Sequence, residues 1–484
     1  MNTAVIVAGA GPTGLTLAGE LRLAGVDVIV VDRLPARTGE SRGIGLTLRT
    51  TEVLDQRGLL GRFGELETGS AGHFGGIPLD LSVLGAPLEA ARTVPQSTTE
   101  AVLEDWAREL GADIRRGHQV TGVDSDDTGV TVHFASREPL RAAYLVGADG
   151  GRSTVRKAAG FDFPGTPATT ELLLADLRGV DIAPRPPGQQ ASGGMAMSAR
   201  LPDGTYRIIV SERGAPPQSR SGPPAFAEVA DVWKRLTDVD ISHAEPIWTS
   251  AFGDAARLVT EYRRGRVLLA GDAAHVHLPA GGQGMNTGIQ DAVNLGWKLA
   301  AVIRGTAPAA LLDSYHTERH EVGQRLLANT KAQSLFILGG EEVGPLREVL
   351  RELVAYPEVE RHLAARVTGL DIRYDVGGGT HPLLGARLPR RPLLRGGRPT
   401  DTAALLRSGR GVLLDLTDNA VLRGRAQPWI DRIDVVTATA VEPFDTAART
   451  TAALVRPDGH VAWVAPGTDD DLPTALDRWF GPAR

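Results

Sequence analysis

The chain opens on a short apolar run, Ala4-Val5-Ile6-Val7, cut off by Gly9-Ala10-Gly11-Pro12-Thr13-Gly14. Apolar residues then recur at helical spacing, through Leu15, Leu17, Ala18, Leu21 and Leu23, until Gly25. A second continuous run, Val26 to Val31, ends at Asp32. These changes of period predict strand, helix and strand at the start of the chain. Further on, Val102, Leu103, Trp106 and Leu110 mark a helix from Glu100 to Leu110, and Val120–Val123, Val130–Phe134 and Ala143–Val146 read as strands.

Near Thr170 the pattern changes. Leu172–Leu177, Met195–Ala199, Tyr206–Val210 and Ile247–Phe252 predict strands, with Asp203-Gly204 turning one pair. This segment reads as a sheet-forming insertion, because Arg266–Ala270 then returns to a buried type of strand. Helical patterns follow from about Asn286 to Ile303 and from Ala309 to Leu338. Past residue 375, Gly377-Gly378-Gly379 and the stretch from Pro389 to Pro399 read as a linker. Strands at Gly411–Leu416, Ile433–Thr437, Ala453–Arg456 and His460–Ala465, a Pro457-Asp458-Gly459 turn and a helix from Pro473 to Phe480 complete the chain. At about 150 residues per domain the length suggests roughly three. The expected division is 1–170 and 266–375 as two parts of one α/β domain, 171–265 as a sheet domain, and 376–484 as a C-terminal unit.

Composition narrows the partners. The 52 basic and 58 acidic residues leave a net charge of −6, which argues against nucleic acid held by phosphate neutralisation. The apolar runs fall far short of a membrane span, and no leader segment is expected ahead of the first strand. There is no cysteine, so disulfides, thiolate nucleophiles, iron–sulfur ligation and dithiol chemistry are excluded. A cytoplasmic enzyme that takes its redox chemistry from a cofactor fits best, and a homo-oligomer is left open.

The turn between the first strand and helix carries the first chemistry. Gly9 permits a tight turn, Gly11 lets backbone approach a pyrophosphate, and Gly14 lets helix and strand pack closely. The helix start offers unpaired N–H groups to phosphate, and Asp32 can accept from a ribose hydroxyl. Arg33 is counted with it as a cofactor-binding residue. NAD and FAD folds share this motif, so it defines a dinucleotide site and no more.

Two further strand-to-turn junctions set an aspartate beside a glycine: Leu145-Val146-Gly147-Ala148-Asp149-Gly150-Gly151-Arg152-Ser153 and Val267-Leu268-Leu269-Ala270-Gly271-Asp272-Ala273-Ala274-His275. In this order the three motifs resemble those of the class A flavoprotein monooxygenases, the aromatic hydroxylases, over roughly residues 1–370. The resemblance implies an α/β protein with a Rossmann-like FAD-binding domain, a β-sheet substrate domain and a thioredoxin-like C-terminal domain. It implies FAD, with NADPH or NADH docking transiently as reductant, since only one dinucleotide fingerprint is present. Oxygen would add at flavin carbon 4a, and the hydroperoxide would pass OH to an electron-rich ring. The segments Gly39–Gly43 and Gly72–Gly76 and the C-terminal arrangement are most similar to bacterial aromatic-polyketide hydroxylases of the angucycline type. A small-molecule aromatic polyketide is therefore the expected partner, with no nucleic acid and no membrane.

By the same resemblance, Asp149 lies near the flavin and the nicotinamide pyrophosphate, and Asp272 contacts the ribityl and pyrophosphate region. Arg42 and Gln96 match further FAD contacts, although read alone Arg42 is a loop charge and Gln96 a capping residue. Asp32 is expected to face a more exposed ribose. In Leu278-Pro279-Ala280-Gly281-Gly282-Gln283-Gly284-Met285-Asn286, the glycines let backbone approach a flat ring. The helix start near Gly284, Met285 and Asn286 suits negative charge on the N1/O2 edge of a reduced flavin. Pro279, Gly282 and Asn286 are the expected flavin-facing catalytic positions, with Pro279 near the face where oxygen adds.

His275 and His277 lack a third ligand, and no metal is expected. His73 and His381 read as structural. Alternatives are a Baeyer–Villiger member, an FAD-binding partner protein without catalysis, and a flavin halogenase, whose active lysine and tryptophan-rich motif are not visible. The flavin motifs end by Asn286, so the tail is expected to be dispensable for chemistry but not for solubility or assembly.

Overall fold

The computed structural model describes residues 3–66, 68–85, 91–191, 193–201, 203–444 and 450–484. The opening apolar run forms the strand Thr3–Ala8, in which Val5, Ile6 and Val7 are fully buried. A strand apolar on both faces needs cover on both, as a parallel sheet provides. It lies inside a sheet ordered Arg263–Arg264, Val267–Leu269, Leu140–Gly147, Thr3–Ala8, Val28–Asp32 and Asp113–Arg116. Val7 sits opposite Val146 on one side and Val30 on the other, both in parallel register. The strands Val120–Ser125 and Val130–Phe134 extend the sheet antiparallel from Leu140–Gly147. The chain leaves Thr3–Ala8 through helix Pro12–Leu23 toward one side and returns on the other. That reversal opens a crevice at the carboxyl ends of the two strands, where ligands of open α/β sheets bind.

The insertion forms a five-stranded antiparallel sheet, ordered Gln190–Ala191, Gly194–Arg200, Tyr206–Glu212, Glu171–Arg178 and Glu245–Gly253. Side chains alternate between its faces. Leu173, Ala175, Leu177, Ala196, Ile208 and Val210 pack on helix Phe226–Thr237, which the strand pattern had not predicted. Leu172, Met195, Met197, Ile209 and Phe252 point the other way, toward Leu278 and Ala280.

Helix Gln283–Ile303 crosses behind the parallel sheet against Pro12–Leu23. A side chain at Gly296 would stand 2.5 Å from Glu20 Cβ, so only glycine lets the helices approach this closely. The helix Asp313–Leu338 runs next to it. The C-terminal unit is a four-stranded sheet ordered Ile433–Thr437, Gly411–Asp415, Ala452–Val455 and Val461–Ala465, parallel in its first pair and antiparallel thereafter.

The expected linker is not one. Pro392–Arg395 and Arg398–Asp401 form a hairpin turned by Gly396 and Gly397, both left-handed as a two-residue hairpin turn requires. Tyr374 and Val376 are buried in a core that joins Trp297, Leu311 and Val322 to Trp429, Trp463 and Trp479 of the C-terminal unit. Among the described residues, no helix is long and apolar enough to cross a membrane.

Candidate cofactor and substrate site

Each of the three glycine–aspartate motifs lies at the carboxyl end of a strand in the parallel sheet. Gly9 has φ +112°, and a Cβ there would lie 2.2 Å from Ala148 O. At Gly14 a Cβ would lie 1.9 Å from Gly9 O. Gly11 differs: its Cβ would meet nothing within 4 Å, and it caps Pro12–Leu23 without any side-chain bond. A free helix end beside open space is a cradle that a phosphate fits.

The aspartates have different occupations. Asp32 accepts from Ala10 N at 2.8 Å and Leu34 N at 2.8 Å, so its carboxylate also braces the glycine turn. Asp149 accepts from Ser153 Oγ, Thr154 N at 2.7 Å and Val155 N at 3.1 Å. With the N-cap Ser153 it satisfies the first N–H groups of the helix Thr154–Ala158, so its side chain is already engaged at this turn. Asp272 is exposed and accepts no bond from any described residue, yet its Oδ1 lies 3.8 Å from where a Gly284 Cβ would be. It is the carboxylate of the three with an open coordination shell. Arg33 and Arg42 are exposed.

The loop before the long helix carries left-handed residues at Gly281 and Gly282, and a Cβ on Gly282 would meet open space. Gly282 caps Gln283–Ile303 with no side-chain bond, leaving that helix end free toward the loop. Pro279 is exposed beside it, and Gly284 and Met285 are half-buried. Asn286 is buried in the first turn of that helix. Its Oδ1 accepts from Thr47 N at 2.9 Å, and its Nδ2 donates to Gly45 O at 3.1 Å and Gly282 O at 2.8 Å. Every polar atom of the side chain is engaged by protein, so the side chain holds the loop in place and leaves the backbone of Asn286 to face the site. Gln96 plays a similar part: its Oε1 accepts from Gly43 N at 3.2 Å, while Met285 lies against Gly43.

Residues outside the motifs build the same site. Asp291 is fully buried and accepts from Gly271 N at 2.9 Å, with His275 Nε2 at 2.9 Å and Arg319 Nε at 2.6 Å. Burial alone would raise this carboxyl, but Arg319 and His275 hold it below its ordinary value. His275 is thus committed to Asp291, and His277 Nδ1 lies 2.7 Å from Leu278 O. The signal was available. Asp291, Asn294 and Lys298 form a polar stripe at positions i, i+3 and i+7 in the otherwise apolar part of the helix from residue 291 to 303.

The apolar sheet face of Leu172, Met195, Met197, Ile209 and Phe252 packs toward Leu278 and Ala280 at the same loop. Arg207, 1% exposed, ties this sheet to the other domain. It pairs with Asp176 through two bonds of 2.8 Å and donates to the carbonyls of Ser41 and Arg42. Trp248 Nε1 donates to the same Asp176 at 2.7 Å.

A nucleotide cradle, a flat-ring loop and a facing apolar sheet define a flavin-dependent oxygenase architecture. The family model described as FAD binding domain matches residues 2–330, and the one described as aromatic-ring hydroxylase, C-terminal, matches residues 381–483. The chain belongs to the FAD-dependent aromatic-ring hydroxylases. It is similar to the solved structure of CabE, an aromatic hydroxylase from angucycline biosynthesis, at 59% identity over 100% of both chains with a TM-score of 0.97. It is 43% identical to anhydrotetracycline monooxygenase of Streptomyces rimosus, over 100% of this chain and 99% of that protein. It is also 40% identical to dialkyldecalin synthase of Streptomyces rugosporus, over 100% of both.

The open cradle and the free Asp272 carboxylate fit FAD, and this separates two substitutions. Asp272→Ala is expected to weaken FAD retention by about 1.5–3 kcal/mol, roughly ten- to hundredfold, with the melting temperature of the apoprotein unchanged. Asp32→Ala is expected to lower both, because it also unbinds Ala10 N and Leu34 N. Flavin content and apoprotein melting of the two variants check this. A destabilised Asp272→Ala apoprotein would contradict the assignment.

Proposed function

We propose that this protein hydroxylates a polycyclic aromatic polyketide of the angucycline or tetracycline kind, using NADPH or NADH and oxygen. The observation that carries this is the broad apolar sheet face, Leu172, Met195, Met197, Ile209 and Phe252, set against the flat-ring loop. Its partly exposed members Met197, Ile209 and Phe252 offer an apolar surface that suits a wide, flat ligand oriented by few polar groups. The names of CabE and anhydrotetracycline monooxygenase support the same substrate class.

FAD, when bound, supplies reductive oxygen activation at an electron-rich ring. The chain's own residues bind and orient it. In this reading Gly9, Gly11, Gly14 and Asp32 hold the pyrophosphate and ribose end, and Asp272 the pyrophosphate and ribityl region. The backbone of Gly284, Met285 and Asn286 faces the flavin's N1/O2 edge, where the free helix end stabilises negative charge. Arg33, Arg42, Gln96 and Asp149 serve as surrounding contacts, the last two through the backbone they fix. Pro279 and Gly282 border the reacting face, and the sheet above them excludes water.

The domain division follows this assignment: 1–170 with 266–375 for FAD, 171–265 as the substrate cover, and 376–484 as a tail. The tail is read as thioredoxin-like, since its strand order, one parallel pair followed by two antiparallel ones, supports that fold. Lacking cysteine, it takes no part in dithiol exchange.

A second reading comes from the dialkyldecalin synthase relative, named for a ring-forming reaction. Incubation with a tetracyclic quinone polyketide, NADPH and isotopically labelled oxygen separates the outcomes. One labelled oxygen atom in an intact carbon skeleton is expected. A labelled lactone means Baeyer–Villiger insertion, and an unlabelled isomer formed without NADPH or oxygen means a ring-forming catalyst. NADPH oxidation that yields only hydrogen peroxide means the substrate class is wrong.

A further inference from the structure

The turn that presents Asp272 is held from behind by a line of buried groups that ends in the C-terminal unit. The Gly271 N–H donates to Asp291 Oδ2 at 2.9 Å, and Asp291 Oδ1 accepts from Arg319 Nε at 2.6 Å. Arg319 spends its other nitrogens on Tyr374 OH at 2.8 Å and Thr287 O at 3.2 Å. The Tyr374 ring lies on the His460 ring, with centroids 4.2 Å apart and planes tilted by 31°. His460 belongs to the C-terminal sheet hairpin, where its Nδ1 lies 2.9 Å from Gly385 O. Asp291 and Arg319 are wholly buried, His460 is 4% exposed and Tyr374 8%.

The charges make this line directional. Arg319 is the fully buried cation paired with Asp291, and neither side chain is exposed to solvent. In such surroundings a hydrogen bond between charged partners fixes geometry strongly, and an unmade one is costly. Thr287 and Gly271 belong to the two backbone segments on either side of Asp272, the helix start after Gly282 and the turn itself. Arg319 and Asp291 therefore hold the spacing between the free carboxylate of Asp272 and the free helix end. That spacing is what a bound dinucleotide must match. Among the described residues, Tyr374 OH is the hydrogen-bond partner that connects Arg319 to the ring stacked on the C-terminal unit.

We propose that Asp291, Arg319 and Tyr374 are positioning residues through which His460 of the C-terminal unit fixes the Gly271–Asp272 turn and sets affinity for FAD. The proposal rests on the FAD reading and adds a role for the tail that the flavin motifs alone do not give it. None of these side chains touches the cofactor. Each acts on the backbone that does.

The test uses full-length holoenzyme, diluted so that released FAD regains its fluorescence, with the visible flavin band recorded alongside. Tyr374→Phe removes one hydroxyl at constant ring volume. It is expected to weaken FAD binding about 3- to 10-fold and to shift the flavin band, by loss of a hydrogen bond to a charged group. Arg319→Lys keeps the pair with Asp291 but drops the bonds to Tyr374 and Thr287, and carries the same expectation. Insoluble Tyr374→Phe protein therefore leaves the test standing. Trp429→Phe loosens the tail at its bond to Gly481 O and leaves every hydrogen bond of the line in place, and is expected to lower melting while FAD affinity stays within about twofold. Unchanged affinity in both Tyr374→Phe and Arg319→Lys would overturn the proposal, as would equal weakening by Trp429→Phe. Wild-type protein that binds no FAD would instead overturn the cofactor reading itself.

Discussion

Gly11→Val is expected to give a folded but colourless protein. The space over Gly11 is open, since a Cβ would meet no atom within 4 Å, so the polypeptide accommodates the side chain. The same space is where the free end of Pro12–Leu23 points, and two methyl groups there would occupy the pyrophosphate position. Overpacking of about 1–3 kcal/mol adds to lost phosphate hydrogen bonds of about 1.5–3 kcal/mol, so affinity should fall by on the order of a hundredfold or more. Gly14→Val should behave differently. Its Cβ would overlap Gly9 O at 1.9 Å, backbone against backbone, so the fold itself should suffer. Absorbance near 450 nm per protein, read with thermal melting, distinguishes them. A yellow Gly11→Val protein with wild-type flavin content would remove the cradle from the site, and an unfolded one would show that the open space is structural.

The contrast between Gly11 and Gly14 marks how far sequence reasoning reached. Strand, turn and helix at the chain's start were legible because each has a local signal, a change of period punctuated by glycine. The positions of Asp32, Asp149 and Asp272 were legible for the same reason. Their roles were not. Spacing places a carboxylate at a strand end but cannot say that Ser153, Thr154 and Val155 will claim Asp149, or that Ala10 N will take half of Asp32. The bracing task of the Asn286 side chain was not legible, because its three partners come from residues 45, 47 and 282, two of them distant in sequence. Helix Phe226–Thr237 was overlooked after a proline-rich stretch, although Val229, Val232, Trp233 and Leu236 recur at helical spacing. Pro457-Asp458-Gly459 forms the expected turn between the last two strands, but its burial was not legible. By composition it is a surface turn, and tertiary packing buries Asp458 to 2% exposure.

That buried turn decides the largest effect expected of any change. A variant ending at residue 375 should be insoluble and should hold no flavin, which reverses the expectation that the tail is dispensable for the chemistry. The hairpin tip carries Arg456 and Asp458 into the helices behind the parallel sheet. There Arg456 bonds Glu318 at 2.6 and 2.9 Å, Trp297 Nε1 donates to Asp458 at 3.1 Å, and Lys298 donates to Glu318 at 2.8 Å. Burial would raise Glu318, yet Arg456 and Lys298 hold it down to about 2, while burial pushes Lys298 down to about 8. Removing the tail leaves Glu318 without Arg456, and breaking a buried pair costs about 3–5 kcal/mol. Arg57, paired with Glu20 in the helix behind the glycine turn, also loses its acceptors Leu406 O and Pro457 O. Trp297, Leu311 and Val322 lose their cover as well, at about 1.5–3 kcal/mol for each large apolar side chain. Together these losses match the whole 5–15 kcal/mol by which a domain is stable. Soluble yield and flavin absorbance of the shortened chain check the expectation. A soluble, yellow protein ending at residue 375 would mean that the core from Trp297 to Tyr374 closes on its own.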